Sequence, residues 1–540
     1  MENDETLRKA IVEAANKVGL SISEDDVKIE NSKDPIHGDY STNLAMKFAR
    51  QVGKKPVDLA NELIGNLSCD IVEKTEIAGP GFINFFMKKD AMAGILHKIL
   101  SEGTVFGKGK DKHFKVNVEF VSANPTGDLH LGHTRGAALG DAIANIYEAA
   151  GYDVVREYYV NDCGNQVRHL GISLRARYHE LFGEPLSLGD DDYHGTDLIA
   201  IAEKIKAEYG DAYLVDNEES EAFFVRYGID TELAKIKKDL ADFRVHFDRF
   251  SYESDIRKGG TIEKTLQELL PHTYTQDGAM YLKTTDFLDD KDRPIVKSDG
   301  QYTYFLPDIC YHYEKMSRGF NLLVDVLGAD HHGYINRMKS ALMMKGYSPD
   351  SLEIELVQIV KTFKDGEEVK MSKRTGKAIT HRELVEEVGV DAVRYFFVER
   401  AASSHLDFNY DLAKSQTKDN PVYYAQYAHA RCHSVLTIAG DIPLIETGEG
   451  LKNEKEMSIL KQLSDFPSMI ESAAISRSPN KVAGYIQKLA ALVHEYYASV
   501  RLIDREDYVG TGSRLALLKA CMIVLGNALC LLGVSAPDKM

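Results

Sequence analysis

Two clusters in this sequence carry residue types suited to phosphate chemistry. The first is His130-Leu131-Gly132-His133, which closes the run Ala123-Asn124-Pro125-Thr126-Gly127-Asp128-Leu129. A strand-like segment, Lys115 to Val121, precedes it, and a helical pattern runs from about His130 to Ala150. Histidines at i and i+3 share one face of a first helical turn. That turn offers free backbone N–H groups and the positive end of a helix dipole, which together favour phosphate. Gly132 leaves room for a flat base to approach the backbone. For an isolated HxGH, two ordinary surface histidines are the plainer reading, and metal ligation would need a third ligand that the neighbourhood lacks.

The second cluster lies far downstream. Lys370-Met371-Ser372-Lys373-Arg374, continued by Thr375-Gly376-Lys377, follows a strand and an Asp365-Gly366 turn. Alone, a basic loop is usually just a solvated loop. Beside an HxGH it can neutralise a triphosphate as pyrophosphate leaves.

The elements that must position these clusters read as an α/β arrangement. Lys115–Val121, the helix after His130 and a strand over Val154–Val160 form a β-α-β unit of a doubly wound sheet. Asn321–Leu327 and Glu353–Val360 read as further strands, and polar helical material from about Gly171 to Glu268 reads as an insertion. The first hundred residues form a small α/β unit, with a helix through Leu7, Ile11, Ala14 and Val18, another from Asn43 to Gln51, and a strand after Gly79-Pro80-Gly81. Gly107–Lys112 is a linker. After Asp391 the pattern is helical throughout. The expected division is 1–110, 111–390 with the insertion at about 171–268, and 391–540.

The paired motifs resemble the "HIGH" and "KMSKS" signatures of class I aminoacyl-tRNA synthetases. The lead-in Glu119-Phe120-Val121-Ser122-Ala123-Asn124 and the run Tyr302-Thr303-Tyr304-Phe305-Leu306-Pro307-Asp308 resemble the arginyl branch of that class. So do Gly328-Ala329-Asp330-His331-His332-Gly333, Asp391-Ala392-Val393-Arg394, the Asn420–Arg431 run, and the N-terminal Gly38–Asn43 and Gly79–Phe86 segments. Three positions depart from the pattern: Asp128 stands where many relatives have proline, Arg374 where the class has serine, and His332 where some arginyl enzymes have glutamine.

The resemblance implies a Rossmann-type nucleotide-binding catalytic domain with an insertion. A small α/β domain that binds the tRNA elbow would precede it, and an all-α anticodon-binding domain would follow. It implies ATP with Mg²⁺ bound as substrate, L-arginine and tRNA(Arg) as the other substrates, no zinc, and activation of arginine only with tRNA bound. Catalytic roles would fall to His130, His133 and Lys373, with Gly132, Gly328, Asp330, Lys370, Met371 and Ser372 also at ATP. Glu119, Asn124, Tyr304, Asp308 and His332 would contact arginine. Carboxylates suit this ligand, because a guanidinium is a planar five-donor cation. Two rivals stay open: an HxGH nucleotidyltransferase making a dinucleotide-type cofactor, and an inactive relative that only binds RNA or partners.

Composition sets outer bounds. With 540 residues the chain needs several cores, and 44% hydrophobic with 27% charged residues is ordinary for a soluble globular protein. A net charge of −18 argues against indiscriminate coating of nucleic acid. The six cysteines are scattered without a C-x₂-C pair, so reduced buried thiols in a cytoplasmic protein are expected, while a monomer is what the resemblance implies. The N-terminus is acidic and lacks the features of a signal peptide. The apolar stretch Leu515–Val534 contains Lys519 and Asn527, which favours a buried C-terminal helix over a membrane span.

Overall fold

Apolar alternation in Phe82–Met87 puts Ile83, Phe85 and Met87 on one buried face. That strand lies inside a four-stranded antiparallel sheet, between Tyr40–Thr42 and Val72–Ala78, with Glu30–Asn31 at the far edge. Leu7, Ile11 and Ala14 of helix Glu2–Lys17 join the same apolar cluster. The computed structural model describes every residue except 1, 33–36, 196 and 372–377.

The central layer is a five-stranded parallel sheet. Its strands are β1 (Lys115–Phe120), β2 (Asp153–Val160), β3 (Arg249–Tyr252), β4 (Leu322–Gly328) and β5 (Leu352–Val357), in the order β5-β4-β1-β2-β3. Five of the six β1 residues are buried, as expected of a strand covered on both faces. The chain runs outward from β1 through β2 to β3, then returns to the opposite side of β1 for β4 and β5. The reversal puts a crevice at the carboxyl ends of β1 and β4, where doubly wound sheets bind ligands. Helix α1 (Leu131–Ala149) crosses from β1 to β2. It packs so closely that a Cβ on Gly140 would lie 2.2 Å from the Phe120 ring. Helices α2 (Phe305–Ser317) and α3 (Tyr334–Met344) flank β4.

Beyond β5 the chain leaves this sheet. β6 (Val360–Lys364) pairs antiparallel with β7 (Glu367–Glu368) across the Asp365-Gly366 turn. Helices α4 (His381–Val388) and α5 (Val390–Val398) follow, and then β8 (Leu406–Asn409) returns to pair parallel with β6. Five longer helices, from Pro421–Ala439 to Tyr508–Leu531, complete the chain. The last is long and apolar enough to cross a membrane, yet 56% of its most apolar stretch is buried inside the fold. Asn527 is held there by donating to the carbonyls of Gly103 (3.0 Å) and Phe106 (3.2 Å).

Three sequence expectations need correcting. The segment 171–268 is not wholly helical insertion, because β3 lies within it and forms an edge of the central sheet. Its helices Asn165–Glu180, Asp197–Tyr209 and the first half of Glu218–Asp242 do share a separate apolar cluster, while Leu233, Ile236 and Leu240 of the last join the main core. The expected strand Glu353–Val360 is two strands in different sheets, broken at Gln358-Ile359. The tail after Asp391 is not unbroken helix, since β8 interrupts it. β3 and β8 are each four residues long, too short for a periodic signal.

Candidate active site

His130 is the N-cap of α1. The Gly132 N–H donates to its Nδ1 (3.1 Å), and the His130 N–H donates to His133 Nδ1 (3.3 Å). Two otherwise unpaired N–H groups of the helix start are therefore satisfied by imidazole nitrogens. The rings stack with centroids 3.7 Å apart and planes at 19°. Desolvation lowers both pKa values, and His133 falls to about 3 with His130 beside it as a second cause. Both rings are thus neutral near pH 7. Each uses Nδ1 as acceptor, so each carries its proton on Nε2 and offers an N–H donor. A Cβ on Gly132 would lie 3.0 Å from the His130 ring, so any larger residue there would push that ring aside.

The loop before this turn is strained. Val121 has φ 67° and Ser122 φ 36°, backbone that a β-branched residue in particular resists. Ser122 Oγ donates to Glu119 (2.9 Å) and accepts from the Tyr159 N–H (3.1 Å), which fixes the bend where β1 ends.

That bend opens onto a cleft of about 710 Å³ at the carboxyl ends of β1 and β4. Of the expected site residues, Glu119, Ala123, Asn124, His130, Gly132, His133, Asp308, Gly328 and Asp330 all line it. Asn124 donates its amide to Gln166 (2.5 Å). The Asp308 carboxyl faces the cleft with no hydrogen-bond or ion-pair partner among the described residues. Burial pushes it up to about 7, and Glu253, Glu119 and Asp325 add to the rise while His312 opposes it. A carboxyl in that setting is primed for a cation.

Glu119 is differently placed. It pairs with Lys315, whose side chain is fully buried and also reaches Asp325 (3.0 Å). Asp325 accepts from His312 Nε2 (2.8 Å), while His312 Nδ1 lies 2.8 Å from the Asp308 carbonyl. Lys315 holds the Asp325 carboxyl well below the usual carboxylate range, although burial acts against it.

Other expected residues fall outside the cleft lining. Tyr304, the N-cap of α2, is 79% exposed. His332 is exposed, and neighbouring His331 lines the cleft beside Asp330. Thr126, Gly127, Asp128, Leu129 and Leu131 shape the turn behind it, and Asp128 pairs with Lys235 at 2.6 Å. Pro125 is buried in the same loop. Lys370 and Met371 border a second hollow, lined also by Glu367, Glu368 and Glu383. Ser372 and Lys373 lie outside the described residues.

Comparison with known proteins bears on what this cleft serves. Residues 95–431 match the sequence model "tRNA synthetases class I (R), catalytic domain". Residues 5–87 match "Arginyl tRNA synthetase N terminal domain", and 425–540 match "DALR anticodon binding domain". A curated relative from Geobacillus kaustophilus, "Arginine--tRNA ligase", is 49% identical over 99% of both chains. The chain belongs to the arginyl-tRNA synthetase family.

Two solved structures share the fold. The putative arginyl-tRNA synthetase of Campylobacter jejuni superposes with TM-score 0.78 at 32% identity, covering 84% of this chain and all of that one. The Thermus thermophilus arginyl-tRNA synthetase has TM-score 0.79 at 23% identity, covering 99% of this chain and all of that one, and shares the fold. For a member of the arginyl-tRNA synthetase family, the sequence reading left out much of the cleft's second wall. Tyr159, Asn161, Tyr311, His312, Asp325, Tyr334 and Arg337 line it as well. A lysine and a histidine inside an amphipathic helix look like surface residues, and only the packing of α2 on β4 turns them inward.

Proposed function

We propose that this arginyl-tRNA synthetase family member charges tRNA(Arg) with arginine in the cleft between β1 and β4, in two steps. In the first, an oxygen of the arginine α-carboxylate attacks the α-phosphorus of ATP and pyrophosphate leaves, giving arginyl-adenylate. In the second, the 2′-hydroxyl of the tRNA's terminal adenosine attacks the arginyl carbonyl and AMP leaves. Mg²⁺ enters with ATP and offsets phosphate charge.

The Nε2–H groups of His130 and His133 and the ammonium of Lys373 donate to phosphate oxygens as charge builds on them. Gly132, Gly328 and Asp330 lie where the nucleotide would sit, and Lys370, Met371 and Ser372 belong to the basic motif closing on its phosphates. Asp308 takes the guanidinium, Asn124 the α-amino group, and Glu119 contributes charge from its pair with Lys315. Tyr304 and His332 keep arginine contacts in this reading, made on closure around the ligand.

The observation that carries the reading is the juxtaposition, in one cleft, of two neutral imidazole donors at a helix start and an unpartnered carboxyl. Supporting parts would be 1–110 at the tRNA elbow, 111–390 at the chemistry and 391–540 at the anticodon arm, in a cytoplasmic monomer. Charging total tRNA with each of the twenty amino acids tests it. Arginine alone should become acid-precipitable on tRNA, and charging with another amino acid would overturn the assignment.

A further inference from the structure

Two residues just past the HxGH turn hold the segment that carries Lys370 at both of its roots. Arg135 is fully buried. Its Nη1 donates to the carbonyls of Gln358 (2.9 Å) and Ser404 (2.8 Å), and its Nη2 donates to that of Ala401 (3.0 Å). Gln358 is where the chain leaves the parallel sheet and enters β6, and 401–404 is the link that feeds β8 beside β6. These two links also bond each other, the Gln358 N–H to Ala402 O (3.0 Å) and the Leu406 N–H to Ile359 O (3.3 Å). Arg135 therefore clamps the base of the small sheet from whose hairpin Lys370 emerges.

The downstream root is held by the preceding residue. The His381 N–H donates to Leu129 O (2.7 Å), and His130 pairs with Thr380 as an isolated antiparallel bridge. Thr134 Oγ1 lies 3.0 Å from His381 Nδ1, while His381 Nε2 faces Asp239 O at 3.3 Å. The Thr134 hydroxyl donates to the His130 carbonyl (3.1 Å), so it bridges the HxGH turn and His381.

Packing alone gives no reason for an arginine at 135. Among the described residues no carboxylate lies within ion-pair reach of it, and a buried cation balanced only by carbonyl dipoles carries a desolvation cost that an apolar side chain of similar volume would avoid. Three carbonyls from two links, gripped by one rigid planar fork, instead give a fixed distance and angle.

We propose that Arg135 is a positioning residue that sets the Lys370-bearing hairpin at the working distance from His130 and His133, with Thr134 fixing the other root. This rests on the reading that the HxGH turn and Lys370 act on the same ATP. It assigns Arg135 no contact with substrate. Its effect runs through Lys370.

The test is a double-mutant cycle in ATP–pyrophosphate exchange, with arginine and tRNA present, on wild type, Arg135→Lys, Lys370→Ala and the double variant. Arginine affinity by equilibrium dialysis and the melting temperature are recorded alongside. Arg135→Lys should lower kcat/KM for ATP by about tenfold or more while the arginine Kd stays within about twofold. Lys370→Ala should cost several-fold less in the Arg135→Lys background than in wild type, because a misplaced lysine has less to lose. If the two losses multiply, or arginine affinity falls as far as ATP use, Arg135 is only a structural bolt and the proposal is overturned. If Lys370→Ala is silent in wild type, the reading of the site fails and takes the proposal with it. Should Arg135→Lys not fold, Thr134→Val runs the same cycle, with the same outcomes deciding.

Discussion

Arg394 and Asp141 form an ion pair out of reach of solvent, one on α5 and the other on the helix that begins with the HxGH turn. The same guanidinium donates to Leu532 O (2.9 Å) near the C-terminus and to Phe243 O (3.0 Å) at the end of helix Glu218–Asp242. One side chain thus joins four distant stretches of sequence.

Replacing Arg394 with Ala should lower stability by about 3 kcal/mol, toward the lower end for breaking a buried pair, because Arg156 stays 3.7 Å from Asp141. Urea unfolding should show the midpoint displaced to lower concentration. An unshifted midpoint would mean the pair contributes nothing net.

His130→Ala and His133→Ala should each slow adenylate formation by roughly 10²–10³, the scale for one lost transition-state donor. Arginine affinity should barely change. Since both pKa values are lowered, neither imidazole should titrate in the rate profile between pH 7 and 8. Linkage acts on stability instead: from about pH 6.5 down to about 3, the unfolded chain binds a proton that native His133 refuses, so stability falls as pH falls. Exchange rates near wild type in both variants would place the nucleotide elsewhere.

Arginine binding should depend on pH through Asp308. Raised to about 7 in the free cleft, its carboxyl must be ionised to meet a guanidinium, so binding expels a proton. Affinity should therefore weaken as pH drops from 7 to 5. Calorimetry in buffers of different ionisation enthalpy should register proton release near neutrality. Asp308→Asn should cost at least ~2 kcal/mol in kcat/KM for arginine and flatten the pH dependence. A flat profile in wild type would remove Asp308 from the guanidinium site.

The helical tail presents Tyr427 and Tyr497 at its surface with Arg431 between them, 4.5 and 4.3 Å from the two ring centres. Exposed rings braced by a cation suit stacking with unpaired bases. Tyr427→Ala or Tyr497→Ala should weaken tRNA binding by about 1–3 kcal/mol, the usual scale for one stacked base. The KM for arginine should stay constant in the same assays. Removing everything after Val398 would be a poor substitute, because it strips Arg394 of Leu532 and bares the apolar cluster shared with α1.

Much of the site was legible because its determinants are local. The strand Lys115–Phe120, the helix opened by His130 and the β2 strand follow from periodicity and turn residues within a few positions of each other. Asp308 was found by its neighbours, Tyr304 to Pro307, and the structure sets it in the cleft while leaving Tyr304 exposed. The rest depended on contacts between residues far apart in sequence. Nothing near Lys315 marks it as the fully buried partner of Glu119 and Asp325, and nothing near Arg135 points to carbonyls more than two hundred positions away. β3 and β8 were hidden for a related reason: four residues acquire strand character only from the strand they pair with.

Helices Asn165–Glu180 and Asp197–Tyr209, with the first half of Glu218–Asp242, own a core of their own, whereas Leu233, Ile236 and Leu240 at the far end of that last helix belong to the main one. Tyr178, Phe224, Leu198 and Ile205 pack among themselves, and the large cluster running from Leu7 to Val534 includes none of them. A unit whose apolar contacts are mostly internal opens and closes with little help or hindrance from the body that carries it. Amide protons of Asp197–Tyr209 would then exchange through openings that leave α1 protected. In evolutionary terms, such a region can lengthen, shorten or change its outer face while the chemistry at the strand ends stays in place.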